Sequence, residues 1–315
     1  MEKKYGRKMS LWLLMVFAFI SFLPVLVIAP LVGTVLVGIT GHFITGMDNV
    51  QLVMIHVAQW GQTFFVMMLV PYVWMKRIEL PNKNNDKVTA GQVFSALHLD
   101  NIDWRFMFLT LCLFVVSIPF YAFIEVGILK DFPMPDALRT YLVNEMQNSV
   151  QMMQMILTPS GFWGWLELIL LMCVGTAIGE EMMFRGALFS WFDRNPRSSI
   201  HTKAILVGFI FAAIHGELVG IPSRWLMGTL FVYMVYWSGS LWVPILAHCL
   251  NNLFALVQYK MTPADELLEL EYGFDAIITI LSFIISALLL WLMWRLYTEK
   301  APGLADSTQQ TEENA

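Results

Sequence analysis

Three stretches of the sequence place ionisable or amide side chains inside otherwise apolar segments. They are GTAIGEEMMFRGALF, which holds Glu180, Glu181 and Arg185; FIFAAIH, which ends at His215; and PILAHCLNN, which holds His248 and Asn252. A charged side chain near the centre of a bilayer costs about 2.5–3.5 kcal/mol on insertion scales, so charges in membrane segments are rare and indicate function. These polar residues are therefore candidates for a reaction site.

The two adjacent glutamates are predicted to have different surroundings. Glu181 and Arg185 are four residues apart and share a helix face, so we expect an ion pair with a mainly structural purpose. Glu180 lies about 100° around the helix from Glu181 and does not share this partner. A carboxylate without an ion-pair partner in a low-dielectric cavity has the basicity that a general base requires.

The polar residues of the three stretches are predicted to lie in one layer of a membrane. Counted at a rise of about 1.5 Å per residue from the inner border, Glu180, His215 and Asn252 lie about 18 Å deep and His248 about 12 Å deep. Taken alone, His215 is better explained by an interhelical hydrogen bond than by catalysis. Polar groups from three helices at one depth favour a common site instead.

The composition indicates that these segments cross a membrane. The chain has 315 residues, 57% hydrophobic and only 14% charged, and its mean hydropathy is +0.63. Soluble domains carry about 25% charged residues, so an ordinary soluble protein is excluded. Eight apolar runs are long enough to span, or nearly so: 11–37, 50–74, 106–128, 162–192, 204–214, 225–237, 241–257 and 276–294.

The distribution of basic residues predicts the orientation of the chain. With eight spans, fourteen of the nineteen Lys and Arg residues lie on the side of the N-terminus, four lie on the other side, and Arg185 lies within a span. Short cytoplasmic loops carry the excess of Lys and Arg, so both termini are predicted to be cytoplasmic. The predicted fold is an all-α polytopic membrane protein with about eight transmembrane helices.

Charge and cysteine usage exclude two further classes. The formal net charge is -5 and the basic residues form no stripe, which argues against a nucleic-acid partner. The three cysteines, Cys112, Cys173 and Cys249, lie inside apolar runs, so we expect neither a disulfide framework nor a cysteine metal site.

The three polar motifs together resemble those of a known family. EEMMFR (180–185), FAAIH (211–215) and HCLNN (248–252) are similar, in this order, to the EExxxR, FxxxH and HxxxN motifs of the CPBP family, the CAAX protease and bacteriocin-processing (Abi) intramembrane endopeptidases. The resemblance covers about 161–259. Each motif alone is weakly specific, whereas the ordered set is strong.

The resemblance implies hydrolysis of a peptide bond by a site that opens towards the cytosol. By the family's pattern, Glu180 and His215 activate a water molecule, His248 and Asn252 hold the developing oxyanion, and Glu181 and Arg185 support the site. No cofactor is then expected. The alternative is a Zn²⁺ site, because two histidines and a glutamate resemble a catalytic ligand set, although the HExxH helix is absent.

The apolar runs and the polar segments between them, together with the extent of the resemblance, predict an organisation of the chain. Residues 1–160 would form helices 1–3 with an inner loop at 78–103 and an outer amphipathic helix at 136–157, followed by the catalytic core 161–259. A last transmembrane helix at 260–300 and a disordered polar tail at 301–315 would complete it.

Partners and location are predicted only in outline. The expected partners are a membrane-associated peptide or protein substrate and the lipid bilayer, and the expected location is the bacterial cytoplasmic membrane. A non-proteolytic membrane scaffold or bacteriocin-immunity protein remains an alternative function. A proton or ion carrier is disfavoured, because no internal repeat is present and Glu180 has no relay of acids beside it.

Overall fold

The computed structural model describes residues 35, 50–80, 88–127, 132–159, 161–194, 197–262 and 275–313. Within these ranges the regular elements are helices joined by turns and loops, without a strand. Several helices change between α and π geometry without interruption. The helices of these ranges are α1 (Val50–Gly61, continued by Gln62–Leu69, Val70–Trp74 and Met75–Glu79), α2 (Ala90–Ala96), α3 (Trp104–Ala122, continued by Phe123–Gly127), α4 (Asp136–Ile156), α5 (Gly161–Leu168, continued by Ile169–Gly175, Thr176–Glu181, Met182–Leu188 and Phe189–Asp193), α6 (Ile200–Ala213), α7 (Ile221–Ser238), α8 (Trp242–Met261) and α9 (Ala276–Glu313).

Four helices of the described ranges are long and apolar enough to cross a membrane. These segments are Leu52–Arg77 in α1, Trp104–Glu125 in α3, Gly161–Asp193 in α5 and Ala276–Glu299 in α9. They coincide with four of the eight predicted runs, and the protein is a membrane protein. Helix α6 is apolar but shorter.

The remaining predicted runs have different outcomes. Helices α7 and α8 occupy the predicted positions 225–237 and 241–257. The first run, 11–37, lies outside the described residues except for Val35. The count of eight spans and the orientation of the termini therefore stay predictions.

Two segments between the spans contain helices. In the loop predicted at 78–103, Thr89 and Gln92 form a capping box that begins α2, although residues 81–87 lie outside the described part. Helix α4 occupies the segment predicted as an amphipathic helix at 136–157.

The backbone of α9 is helical to Glu313, and the last two residues lie beyond the described part. The disorder expected of the polar segment 301–315 stays a prediction.

Helix α5 packs closely against α1 at two glycines that the sequence spaces as GxxxG. A Cβ atom at Gly179 would stand 2.8 Å from the Cβ atom of Met67, and one at Gly175 would stand 3.4 Å from the Cγ2 atom of Thr63. The distance at Gly179 is shorter than real contacts of a Cβ atom, so a larger residue there would separate the helices, whereas the distance at Gly175 is an ordinary contact. Close approach of two helices is the usual purpose of a GxxxG spacing, and Gly179 shows it here.

Candidate active site

The middle of α5 carries a fully buried ion pair. The Nη1 atom of Arg185 donates to the Oε1 atom of Glu181 at 2.9 Å, and both side chains have 0% exposure. This is the pair that the spacing of four residues predicts. Because both side chains are buried, only their bonded partners can offset the free-energy cost of removing each charge from water.

Helices α6 and α7 supply further contacts of Arg185. Its Nη2 atom donates to the carbonyl oxygen of Gly228 at 2.9 Å, and its guanidinium lies 4.6 Å from the ring centroid of Phe211 and 5.1 Å from that of Phe231. A Cβ atom at Gly228 would stand 2.9 Å from the Cα atom of Gly208, so the two helices touch here through their backbones. Hydrogen bonds and aromatic faces together offset part of the cost of burying the charge.

Helix α8 connects His248 to the same carboxylate. The Nδ1 atom of His248 lies 2.8 Å from the Oε1 atom of Glu181, and the histidine is 3% exposed. The Nδ1–H group donates to the carboxylate, which leaves the Nε2 atom for a reaction partner. Glu181 therefore does more than balance Arg185, because it also fixes the orientation of His248.

Glu180 faces the other side of the same histidine. Its Oε2 atom lies 3.7 Å from the Nε2 atom of His248, which is too long for a direct hydrogen bond. This oxygen is buried and has no hydrogen-bond partner among the described residues. The two atoms thus face a common point from two helices, as a site for a small reactant requires.

His215 follows the end of α6, and its ring is held by the backbone of the preceding helical turn. Its Nδ1 atom donates to the carbonyl oxygen of Phe211 at 2.7 Å, so in the neutral ring the Nε2 atom is an acceptor. The Phe211 ring lies 4.9 Å from the His215 ring and 5.9 Å from the His248 ring, measured between centroids. Glu180 and His248 are both near enough to interact electrostatically with His215.

Asn252 has a different partner from the one that the family pattern implies. Its Nδ2 atom donates at 2.9 Å to the carbonyl oxygen of Met172, in a π-helical segment of α5. Met172 precedes Glu180 by eight residues, which is about 12 Å along the helix. The contacts of His248 with Glu180 and Glu181 place His248, rather than Asn252, beside Glu180.

Three aromatic residues around this cluster have no part in the sequence-based prediction. Phe184, Phe211 and Phe231 enclose Arg185, and Phe211 and Phe231 also contact His248. Phe211 could have been found, because it is the first residue of the FxxxH stretch. Nothing in the spacing of Phe231 distinguishes it from the other phenylalanines of α7.

The described residues do not form a zinc site in this geometry. No group of three His, Cys, Asp or Glu side chains among them converges as metal ligands would. One nitrogen of His248 is already bonded to Glu181, and Glu181 is also bonded to Arg185.

The helices that carry this cluster match a family model. Residues 160–254 match the model described as type II CAAX prenyl endopeptidase Rce1-like. This part of the chain is therefore similar to a CAAX-protease-family domain. This Rce1-like domain nearly coincides with the region 161–259 whose motifs resemble the CPBP family.

A curated protein is similar to this chain over part of its length. The chain is 31% identical over 88 residues to the membrane-embedded CAAX protease MroQ of Staphylococcus aureus (strain USA300). The aligned segment covers 27% of this chain and 36% of that protein, so the similarity spans about a third of the relative. No solved structure matches the chain significantly.

Proposed function

We propose that this protein is an intramembrane endopeptidase that hydrolyses a peptide bond of a membrane-associated peptide or protein. The observation that carries the proposal is the convergence of Glu180 and His248 on one point, with Glu181 behind His248. Hydrolysis of an amide needs a base for the attacking water and donors for the tetrahedral oxyanion. The cluster supplies groups of both kinds in a CAAX-protease-family domain.

Glu180 is the proposed general base. The Oε2 atom of each glutamate is buried and without a hydrogen-bond partner among the described residues, but the Oε1 atom of Glu181 is bonded to both Arg185 and His248. Glu181 is thereby engaged in the support of His248, which leaves Glu180 as the base. The water molecule would be held between Glu180 and the free Nε2 atom of His215. Attack on the substrate carbonyl would transfer one water proton to Glu180, which would then pass it to the leaving amine.

His248 is the proposed oxyanion donor, and the charges around it favour that role. To donate from Nε2 while Nδ1–H bonds to Glu181, the ring must carry two protons and a positive charge. Glu180, Glu181, Arg185 and a cationic His248 then sum to zero net charge. Glu181 thereby stabilises the form of His248 that can bind an oxyanion, in the way that a carboxylate behind a catalytic histidine stabilises imidazolium.

Asn252 is the second proposed donor, with a smaller contribution. Its amide already donates to the Met172 carbonyl, so it reaches an oxyanion only by exchanging that bond. We therefore expect removal of the Asn252 amide to lower kcat less than removal of the His248 ring.

The test is cleavage of a membrane-peptide library by the purified full chain in lipid. Changing Glu180 to Gln should lower kcat by about 10²–10⁴-fold, the usual contribution of a general base. The matched control is Glu299→Gln, which removes an exposed carboxylate of α9 and should leave kcat unchanged. Activity of Glu180→Gln within a few-fold of the wild type would contradict the assignment.

The same assay separates the alternatives. A strong chelator should leave activity intact, and metal analysis of the active protein should find no stoichiometric zinc; loss on chelation that zinc restores would favour the Zn²⁺ mechanism. A wild-type protein that binds peptides without cleaving them would favour a non-proteolytic scaffold or immunity protein in a bacterial cytoplasmic membrane.

A further inference from the structure

The loop between α6 and α7, residues 214–220, carries His215 and is bonded to a helix outside the Rce1-like domain. That helix is α4, which ends at Ile156, before the matched residues 160–254 begin. The backbone N–H group of Val219 donates to the Oε2 atom of Glu145 at 2.8 Å. The Ser149 hydroxyl, one turn further along α4, donates to the Oε1 atom of Glu217 at 2.6 Å.

The same loop is tied to α7 by an ion pair. The Nη2 atom of Arg224 lies 2.6 Å from the Oε2 atom of Glu217, so one carboxylate joins α4, the loop and α7. Both side chains are partly buried, at 26% and 31% exposure. Glu217 and Arg224 also interact electrostatically with His215.

Helix α4 is itself anchored at its far end. The Nε2 atom of His56 in α1 donates to the carbonyl oxygen of Ile156 at 3.0 Å, and the Nζ atom of Lys260 in α8 donates to the carbonyl oxygen of Leu157 at 2.6 Å. Both donors satisfy carbonyl groups at the C-terminus of a helix, which have no partners within it. Helix α4 is therefore fixed to the bundle and can hold the loop in place.

The backbone of the loop needs such support. Gly216, directly after His215, has φ = +75°, so the chain reverses there in the left-handed region. The backbone of the loop makes short-range turn bonds, such as those from the His215 N–H group to the Ala212 carbonyl and from the Ile221 N–H group to the Leu218 carbonyl. Bonds between such near neighbours do not fix the position of the loop relative to the rest of the bundle. The bonds to Glu145 and Ser149 do so.

We infer that Glu145 and Ser149 of α4 are positioning residues, which hold the 214–220 loop so that His215 stays at the reaction site. This inference rests on the proposed role of His215 in peptide hydrolysis. Glu145 and Ser149 act through Val219 and Glu217. A helix outside the Rce1-like region thus completes the geometry around His215.

The experiment compares Glu145→Ala with Glu145→Gln in the full chain reconstituted in lipid. The amide oxygen of glutamine can still accept from the Val219 N–H group, whereas alanine has no acceptor. Glu145→Ala should raise the hydrogen-exchange rate of residues 214–220 about tenfold or more, because a hydrogen bond to a charged group is lost. It should lower kcat about tenfold or more with KM nearly unchanged, since misplacement of a reacting group affects the chemical step.

Two further variants complete the design. Glu145→Gln should restore both readouts to within about threefold of the wild type, and Gln151→Ala, an exposed position on the same helix, should change neither. Unchanged exchange in Glu145→Ala, or faster exchange with an unchanged kcat, overturns the inference. If the wild-type protein cleaves no peptide, the proposed function fails, and the exchange result alone decides whether α4 holds the loop.

Discussion

Two acid–base clusters of similar composition lie in different surroundings in this protein. In the first, Glu181 is bonded to Arg185 and His248 with essentially no exposure; in the second, Glu217 is bonded to Arg224 and Ser149 with about a quarter to a third of the ion pair exposed. Burial, more than the number of bonds, therefore decides what a charge contributes. A buried cluster is costly to disrupt, whereas a partly exposed one can be rearranged by solvent.

Stability should show the largest difference between the clusters. Arg185→Ala leaves the Glu181 carboxylate buried with only His248 as a partner, and should lower the free energy of unfolding by about 3–5 kcal/mol. Arg224→Ala in the partly exposed cluster should lower the free energy of unfolding by about 1 kcal/mol or less. Denaturation in matched detergent measures both values.

A double variant tests the physical reason. Replacing Glu181 by Gln and Arg185 by Met removes both charges, so it should be more stable than Arg185→Ala although it lacks more polar contacts. If the double variant were the less stable of the two, the cost of an unpaired buried charge would not explain the effect.

The next largest difference should be in kcat, which changes in the two clusters should lower to extents that differ by up to about two orders of magnitude. Glu181→Gln keeps the shape of the side chain but removes the charge that stabilises a cationic His248, so kcat should fall about 10²-fold. Glu217→Gln keeps an acceptor for Ser149 and should lower kcat less than threefold. Equal effects of the two changes would mean that Glu181 has no special relation to His248.

The loop and α2 offer a smaller comparison between two glycines with open space around them. A Cβ atom at Gly216 or at Gly91 would meet nothing within 4 Å, but only Gly216 has a positive φ. Gly216→Ala should therefore lower the free energy of unfolding by about 1–2 kcal/mol through backbone strain alone. Gly91→Ala, near the start of α2, should be neutral or slightly stabilising, and thermal unfolding distinguishes the two.

The two clusters also differ in how far the sequence predicts them. The Glu181 and Arg185 pair follows from spacing on one helix, and the apolar runs predict where the helices lie. The bond between Glu181 and His248 depends on how α5 crosses α8, and the bonded partner of Asn252 was missed for the same reason. The contacts of Glu217 with Ser149 join segments 68 residues apart, and no periodicity encodes such a pairing.

The smallest predicted effect is the pH dependence of the stability that Glu217 contributes in the partly exposed cluster. Burial alone would raise the pKa of Glu217, but the Ser149 hydroxyl and the Arg224 guanidinium outweigh it and hold the pKa below the ordinary value of 4.5. A lowered pKa in the folded state means that the ionised group stabilises the fold above pH 4.5, and that this contribution is lost as the pH falls through the lower, folded value. The wild type should therefore exceed Glu217→Gln in stability by about 0.2–1 kcal/mol near pH 7, and the difference should shrink below pH 4.5. A difference that stays constant between neutral and acidic pH would mean that the Glu217 charge does not stabilise the loop, and that its hydrogen bonds alone hold the cluster together.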